Sequence, residues 1–249
     1  MHRNQNVLFT SNDNQIQMTQ EQLTYGYYNG EMYGAFSSLM QNCFSDMGGE
    51  HASEEEMTTL SSLFYCGQLV AMHGGLMVGA VISRVVPYGL YAKAHTQAQI
   101  LDLTAYVSDA REGNALYGLD IFVHPSYRHL KVGHHLYNLL IEEFARHNFT
   151  HFLGASRVPC YHEFAATMSL EEYVGKVELH EIKDKALSFH LFNGMNVLDV
   201  MYDFNPGDVA SVGCGVAMGW PNPSYDPMLP VYPERKHFFE ALTYNTLVA

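Results

Sequence analysis

The residues best placed for chemistry lie in one short run, Val123-His-Pro-Ser-Tyr-Arg128-His129-Leu130-Lys131-Val132-Gly133-His134. The spacing that follows predicts a helix whose first turn is Arg128–His134. A helix start leaves its first backbone N–H groups without partners and carries the positive end of the helix dipole, so it attracts anions. Gly133 lets a ligand approach the backbone closely, and Arg128 and Lys131 add positive charge beside it. The chemistry expected is binding of a phosphate, wrapped by the amides from His129 to His134. An ordinary strand–turn–helix whose helix start meets only water fits the same pattern equally well.

Other site types are poorly supported. Fourteen histidines invite a metal, and His124, His129, His134 and His135 cluster. No HExxH and no Cys/His pairing at ligand spacing accompanies them, so no metal site is expected. Cys160 and His162 lie too close along the chain to aim at one point as nucleophile and base. Gly213-Cys-Gly215-Val-Ala-Met-Gly219 is not a dinucleotide fingerprint, because no helix follows and Trp220-Pro221 intervenes. Those glycines suit a bulge or close strand packing.

The elements around the run follow from periodicity. Leu116, Tyr117, Leu119, Ile121, Phe122 and Val123 form a strand, ended by Pro125. Val132, Leu136, Leu139, Leu140 and Phe144 recur on one helical face, with Asn148 as a stop. Earlier, a first strand is expected near Val7–Thr10 or Ile16–Thr19. A helix carrying Met32, Phe36, Leu39, Met40 and Cys43 ends at Gly48-Gly49, and another opens with the capping box of Ser53 and Glu56. Gln68–Met72 and Leu76–Val86 read as a hairpin about His73-Gly74-Gly75. Tyr88–Asn114 has no clear period. Phe152–Ser156 is a buried strand, and a helix starts at Ser169 with Glu172 completing a second capping box. Ser188–Asn193 is a brief helix closed by Gly194. Val197–Tyr202 and Val212–Trp220 pair antiparallel, and a last helix is expected at Pro233–Leu242.

Val123-His-Pro-Ser-Tyr-Arg128-His-Leu-Lys-Val-Gly133-His-His-Leu136 resembles the coenzyme-binding motif of the GNAT superfamily of N-acetyltransferases. That motif is a strand ending in Val, then Arg or Gln, two residues, Gly, one residue, and Gly or Ala. Arg128 and Gly133 match, while Lys131 stands where the first glycine is usual. Downstream, Phe189-His-Leu-Phe-Asn-Gly194-Met195 followed by Val197–Tyr202 resembles the family's late helix, glycine and strand. Three further runs narrow the likeness: Arg157-Val-Pro-Cys-Tyr-His-Glu, Met168-Ser-Leu-Glu-Glu-Tyr-Val, and Val216-Ala-Met-Gly-Trp-Pro-Asn-Pro223. They resemble the GNAT domain found fused to carbon–nitrogen hydrolases in some bacterial proteins. The likeness covers residues 60–223, and the remaining length is expected to hold no hydrolase domain.

The resemblance implies an α/β (α+β) GNAT fold: a mixed, mostly antiparallel sheet with helices on both faces. Its central strands, here Leu119–Val123 and Phe152–Ser156, splay apart. Residues 1–223 would form the single domain, with 116–147 its motif core and 88–114 an insertion bordering the substrate pocket. Residues 224–249 would be a Pro-rich strap. The implied activity is transfer of an acyl group from acetyl-CoA to an amine of a small molecule or peptide. Coenzyme A would lie on Ile121, Phe122, Val123, Arg128, His129, Leu130, Lys131, Val132, Gly133 and His134. Backbone N–H groups near Phe122 and Val123 would stabilise the oxygen on which charge builds. A thiol of pKa about 8.5 leaves tolerably as an anion. Many members still place a Tyr of the late helix beside the sulfur, and register aligns His190 with it, as a proton donor or thiolate partner. His190 equally fits a packing residue of that helix. Tyr117 and Asp120 are the candidate bases, on the strand where some members carry Glu. Alternation puts Tyr117 on the face shared with Val123 and Asp120 on the other. The alternative is a GNAT-fold module that binds an acyl-CoA without catalysis, as a sensor or partner-binding domain.

Composition limits the remaining classes. At 249 residues with 47% apolar and 16% charged side chains, the chain reads as one globular unit. Its net charge of −13 without a basic tract argues against nucleic acid as partner. No apolar run approaches the ~20 residues that span a bilayer, and residues 1–17 lack a signal-peptide core, so a cytoplasmic protein is expected. The four cysteines are spaced as reduced thiols. A homodimer is the assembly left open.

Overall fold

The computed structural model describes residues 23–44 and 52–232. The strand expected near Val7–Thr10 or Ile16–Thr19, the Gly48-Gly49 stop and the helix at Pro233–Leu242 lie outside them. In chain order the elements are β1 (Leu23–Tyr27), α1 (Tyr33–Phe44), α2 (Glu54–Phe64), β2 (Leu69–His73), β3 (Leu76–Val86), α3 (Tyr88–Tyr91), α4 (Gln97–Ile100), α5 (Leu103–Glu112) and β4 (Ala115–Val123). Then follow α6 (Val132–Arg146), β5 (His151–Arg157), α7 (Leu170–Glu178), α8 (Leu187–Phe192), β6 (Asn196–Met201) and β7 (Gly215–Pro221). The strands form one seven-stranded sheet in the order β1-β2-β3-β4-β5-β7-β6. Every neighbouring pair is antiparallel except β4 and β5.

Local chemistry explains most boundaries. Gly74 and Gly75, with φ of +56° and +85°, form the two-residue turn between β2 and β3 that needs a positive φ at both positions. Ser53 Oγ accepts from Glu56 N, and Ser53 N donates to Glu56 Oε2 at 2.7 Å, the reciprocal capping box of α2. Ser169 Oγ likewise accepts from Glu172 N at the start of α7. Asn148 ends α6 in the left-handed region at φ +53°. Its amide also donates to Asp226 O and Leu229 O, fastening the irregular segment that follows β7.

Two features of β4 decide where its side chains point. Ser83 pairs with Gly118 but Ile82 pairs with Asp120, so Leu119 is an extra residue in β4, a β-bulge. The bulge inverts the expected alternation: Tyr117, Asp120 and Phe122 share one face, and Ile121 and Val123 take the other. The second feature is the parallel pairing with β5, which covers only Ala115–Gly118 against His151–Gly154. Beyond Gly154 the strands diverge, so the splay opens later in β5 than the expected Phe152.

Helices cover both faces. On one, α6 lies so close that a Cβ on Gly79 would stand 2.8 Å from Val132 Cγ1 and 3.0 Å from Leu136 Cδ1. On the other, α1 stacks Phe36 and Phe44 edge-on against Phe122. The insertion, α3 to α5, closes a second core cluster of Val86, Tyr91, Ile100, Ala115, Tyr117 and Leu153. Its anchor is Arg84 of β3. This buried guanidinium donates to Asp109 Oδ2 at 2.5 Å and to Ile100 O at 2.6 Å, and lies 4.1 Å from the centre of the Tyr106 ring. Asp109 also accepts from Tyr91 OH.

Breaking a buried pair by removing one partner typically costs about 3–5 kcal/mol, because the survivor stays buried and uncompensated. Asp109→Ala is therefore expected to lower unfolding free energy by about that amount, read from the denaturant midpoint. A loss under about 1 kcal/mol would show that Arg84 does not hold the insertion.

Candidate functional site

The cleft begins where β4 and β5 part. Its outer part, about 700 Å³, is lined by Ile121, Phe122 and Val123 of β4 and by Arg128, Lys131, Gly133 and His134 around the start of α6. Phe44 and Cys43 of α1 close one side; Lys185, Ala186, Phe189, His190, Phe192 and Asn193 close the other. An inner part of about 210 Å³ lies in the splay itself, among Gly118–Ile121, Phe152–Ala155, Arg157, Ala186 and His190. His190 lines both.

The start of α6 differs in detail from the expected helical turn. Pro125–Leu130 is a 3-10 turn, and the helix begins only at Val132. Between them Lys131 adopts φ +58°, ψ 22°, the left-handed region. A residue with a side chain costs about 1–2 kcal/mol there, which is the physical reason a glycine suits the position. The helical ladder starts with His135 N donating to Lys131 O, so Val132, Gly133 and His134 have no intrahelical acceptor for their amides. A Cβ on Gly133 would meet only Val123 Cγ2, at 3.4 Å. Val132 is buried beneath the sheet and His129 is exposed, and with Leu130 they stand outside the lining. Of the amides expected from His129 to His134, those of Gly133 and His134 both lack an intrahelical acceptor and belong to residues that line the cleft.

The edge of β4 is equally specific. His124 N donates to Val78 O, which by alternation turns the Phe122 N–H toward β3 as well. Ile121 and Val123 then present their backbone groups to the gap. The Val123 carbonyl there accepts from Arg128 Nε at 3.3 Å. Phe122, expected as an oxyanion donor, is occupied; Ile121 and Val123 are the available N–H groups.

Across the cleft, α8 is positioned by Asp184. This fully buried carboxylate accepts from Ala186 N and Leu187 N through Oδ1, and from Cys160 N and Tyr173 OH through Oδ2. At the other end of α8, Asn193 Nδ2 donates to Phe189 O, which leaves its Oδ1 to accept from His134 Nδ1 at 2.9 Å. That bond ties the two helices across the cleft mouth. His190, between them, has a buried Nδ1 without a partner, and burial pushes its imidazole down to about 4. It is therefore neutral at physiological pH, and a proton donor expected there would have to be the neutral ring.

The two candidate bases part company. Tyr117 is 1% exposed in the second core cluster, and its hydroxyl contacts His95 Nε2 at 2.8 Å. His95 Nδ1 faces the Lys93 carbonyl at 2.7 Å and so carries the proton, which makes Tyr117 the donor. Burial raises the phenol well above its usual range. Tyr117 lines neither part of the cleft and serves the core. Asp120 stands on the cleft floor, open to solvent yet deep within protein mass. That mass raises its carboxyl to about 6, against the lowering effect of Arg157. Sequence reasoning assigned no role to Arg157, Lys185 or Phe192. Arg157 appeared only inside a resembling run, and Lys185 in Lys183-Asp184-Lys185 has no periodic or motif signal.

One group of metal-type donors exists among the described residues: buried Cys66, Glu143 and His147, whose ligand atoms lie within 4.8 Å of one another. Glu143 Oε1 already accepts from Tyr27 OH and Arg146 Nη1, at 2.8 Å each. Burial pushes the Cys66 thiol up to about 12, whereas a metal ligand is a thiolate. The group sits at the opposite end of α6 from the cleft. No helix among the described residues is long and apolar enough to cross a membrane.

A strand, bulge, splay and helix start flanked by cations in this arrangement are those of a GNAT fold. The profile of the Acetyltransferase (GNAT) family matches residues 33–165, and the chain belongs to that family. It is 30% identical over 207 residues to the "Uncharacterized N-acetyltransferase YkwB" of Bacillus subtilis, covering 82% of this chain and 91% of that protein. It is 32% identical over 189 residues to the "Probable hydrolase YhcX" of the same organism, matching 76% of this chain but only 36% of that protein. In fold it is similar to the loading GNATL domain of CurA from Lyngbya majuscula, with TM-score 0.67 and 16% identity over 80% of this chain and 97% of that one.

The raised carboxyl of Asp120 carries a stability consequence with a definite sign. A carboxyl whose folded pKa lies above its unfolded value binds its proton more tightly when folded, so stability falls as pH rises through that window. Asp120→Asn removes the unfavourable ionised form. Its melting temperature should exceed that of the wild type at pH 7.5, and the difference should shrink as pH falls from about 6 to 4. A difference independent of pH would place the perturbed carboxyl elsewhere.

Proposed function

We propose that the chain transfers an acetyl group from acetyl-CoA to an amine of a small molecule or peptide. The observation that supports this best is the order of charge along the cleft. Arg128, Lys131 and Lys185 stand at the outer end, apolar side chains such as Phe122 and Phe189 follow, and Asp120 stands at the inner end beside Arg157. Coenzyme A has its charge in the same order: phosphates at one end, then an uncharged pantetheine arm ending in the thioester. The amides of Gly133 and His134 suit the pyrophosphate.

In the proposed reaction the neutral amine nitrogen attacks the thioester carbonyl carbon. As the N–C bond forms, charge on the oxygen is met by the Ile121 and Val123 N–H groups. The C–S bond then breaks, the amine's surplus proton passes to the Asp120 carboxylate, and the thiolate leaves to be protonated from solvent. A carboxylate near 6 is a stronger base than an ordinary one and still ionised at neutral pH. His190 donates a hydrogen bond to the departing sulfur. A module that only bound acyl-CoA would have no use for such a carboxylate at the inner end.

Two measurements test the reading. Saturating coenzyme A should raise the melting temperature of the wild type, because a ligand bound only to the folded state stabilises it. Gly133→Glu should lose that shift through steric block and like charge, while Gly133→Ala, with room for its methyl, should keep most of it. An unshifted wild type would remove coenzyme A from the cleft.

In turnover, kcat/KM should fall as pH drops through about 6. Asp120→Asn should lose about 10²–10⁴-fold together with that acidic limb. His190→Ala should lower kcat by about 10–100-fold with coenzyme A affinity nearly intact. Full activity in Asp120→Asn would discard the carboxylate as base, and no thiol release with any amine would discard the transfer.

A further inference from the structure

Charge along the cleft leaves one cation that the coenzyme does not account for. Of the four that line it, Arg128, Lys131 and Lys185 gather where phosphates would lie, but Arg157 stands past His190 in the inner part. The pantetheine arm and an acetyl group carry no anion to meet it there. Its fork is held from behind: Nε donates to Asp208 Oδ2 at 2.5 Å and Nη2 to Asp208 Oδ1 at 2.7 Å. Asp208 is also bound by Ser211, through Oγ at 2.6 Å and N–H at 3.3 Å, so it has other partners and orients the guanidinium firmly. The arginine side chain is 37% exposed and the aspartate 5%, so the pair turns its cationic side to the cavity. Nη1 makes no hydrogen bond among the described residues. A guanidinium fixed along one edge presents its remaining N–H groups in a plane suited to carboxylate.

Resting on the transferase reading, we infer that the inner cavity takes a substrate carboxylate on Arg157. Two substrates could bring it: an acceptor that carries both amine and carboxylate, or the acyl group of a dicarboxylic acyl-CoA. The acceptor fits the charge pattern more fully, since its amine would face Asp120 while its carboxylate faced Arg157. In both cases Arg157 selects by charge a ligand that the apolar walls, Phe152, Leu153 and Leu119 among them, would otherwise accept by shape alone.

The test uses equilibrium binding, so it does not depend on turnover. One arm titrates 4-aminobutyrate and butylamine into the protein saturated with coenzyme A. The other compares succinyl-CoA with butyryl-CoA. A hydrogen-bonded charge contact predicts that the carboxylate member binds at least about tenfold tighter in one arm. That ratio should collapse toward unity in Arg157→Gln and survive in part in Arg157→Lys. The first arm responding names the acceptor as source, and the second names the acyl group. Equal binding within both pairs by the wild type overturns the inference, and so does a preference that persists in Arg157→Gln. The wild-type ratios decide the matter even if a variant fails to fold. Carboxylate preference without thiol release in the turnover assay keeps the inference and discards the transfer. Thiol release without preference does the reverse.

Discussion

Everything in the cleft depends on how briefly β4 and β5 remain paired. Buried backbone N–H and C=O groups need partners, and a sheet normally supplies them along its whole length. Here four residue pairs hold the parallel strands together, and then the ladder ends in the middle of the sheet. Antiparallel neighbours on either side, β3 and β7, keep both strands extended beyond that point. The result is an internal strand edge, with Ile121 and Val123 offering hydrogen-bonding groups to a gap that a linear ligand can enter. An edge of this kind on the outside of a sheet would invite another chain; inside a cleft it can select an amide-bearing arm.

The bulge at Leu119 is the second half of that device. Without an extra residue, Asp120 would lie on the α6 side and Ile121 on the α1 side, the reverse of what is found. With it, Asp120 and Phe122 turn toward the face covered by α1 and the insertion, so the carboxylate meets the cleft across from His190. Placing a carboxyl there has a thermodynamic cost, visible as a pKa raised by the protein mass around it. The Arg84–Asp109 pair fastens the insertion over the same face.

The parts legible in the sequence are those fixed by local pattern. The hairpin glycines, the capping box at Ser53, the apolar face of α6 and the Arg128–Gly133 spacing each follow from contacts a few residues apart, and the structure has them close to where the pattern puts them. What the sequence hides is set by register between distant strands. Nothing near Leu119 announces a bulge, because the mismatch exists only against Ile82 and Ser83. For that reason Tyr117 and Asp120 share a face where simple alternation separates them. The left-handed Lys131 is hidden in a different way: lysine gives no local sign of φ, so the pattern puts the helix start at Arg128, four residues before Val132. Lys185 and Arg157 reach the cleft through Asp184 and Asp208, whose several backbone and side-chain bonds bring together segments 24 and 51 residues apart.

Lys131 also shows why this version of the site tolerates a backbone penalty. In a chain with 13 cations against 26 carboxylates, long-range electrostatics disfavour any polyanionic ligand. A helix start and its dipole attract an anion only within about the first turn, where the effect is worth about 0.3–1 kcal/mol at exposed positions. A glycine at position 131 would relax the backbone but leave Arg128 and Lys185 alone to offset the repulsion. A lysine accepts about 1–2 kcal/mol of left-handed strain and adds a charge at the mouth, where attraction to a phosphate would be screened least by the acidic remainder. Cleft electrostatics and backbone ease pull in opposite directions at that residue, and the chain's acidic balance gives a physical reason for the choice it makes.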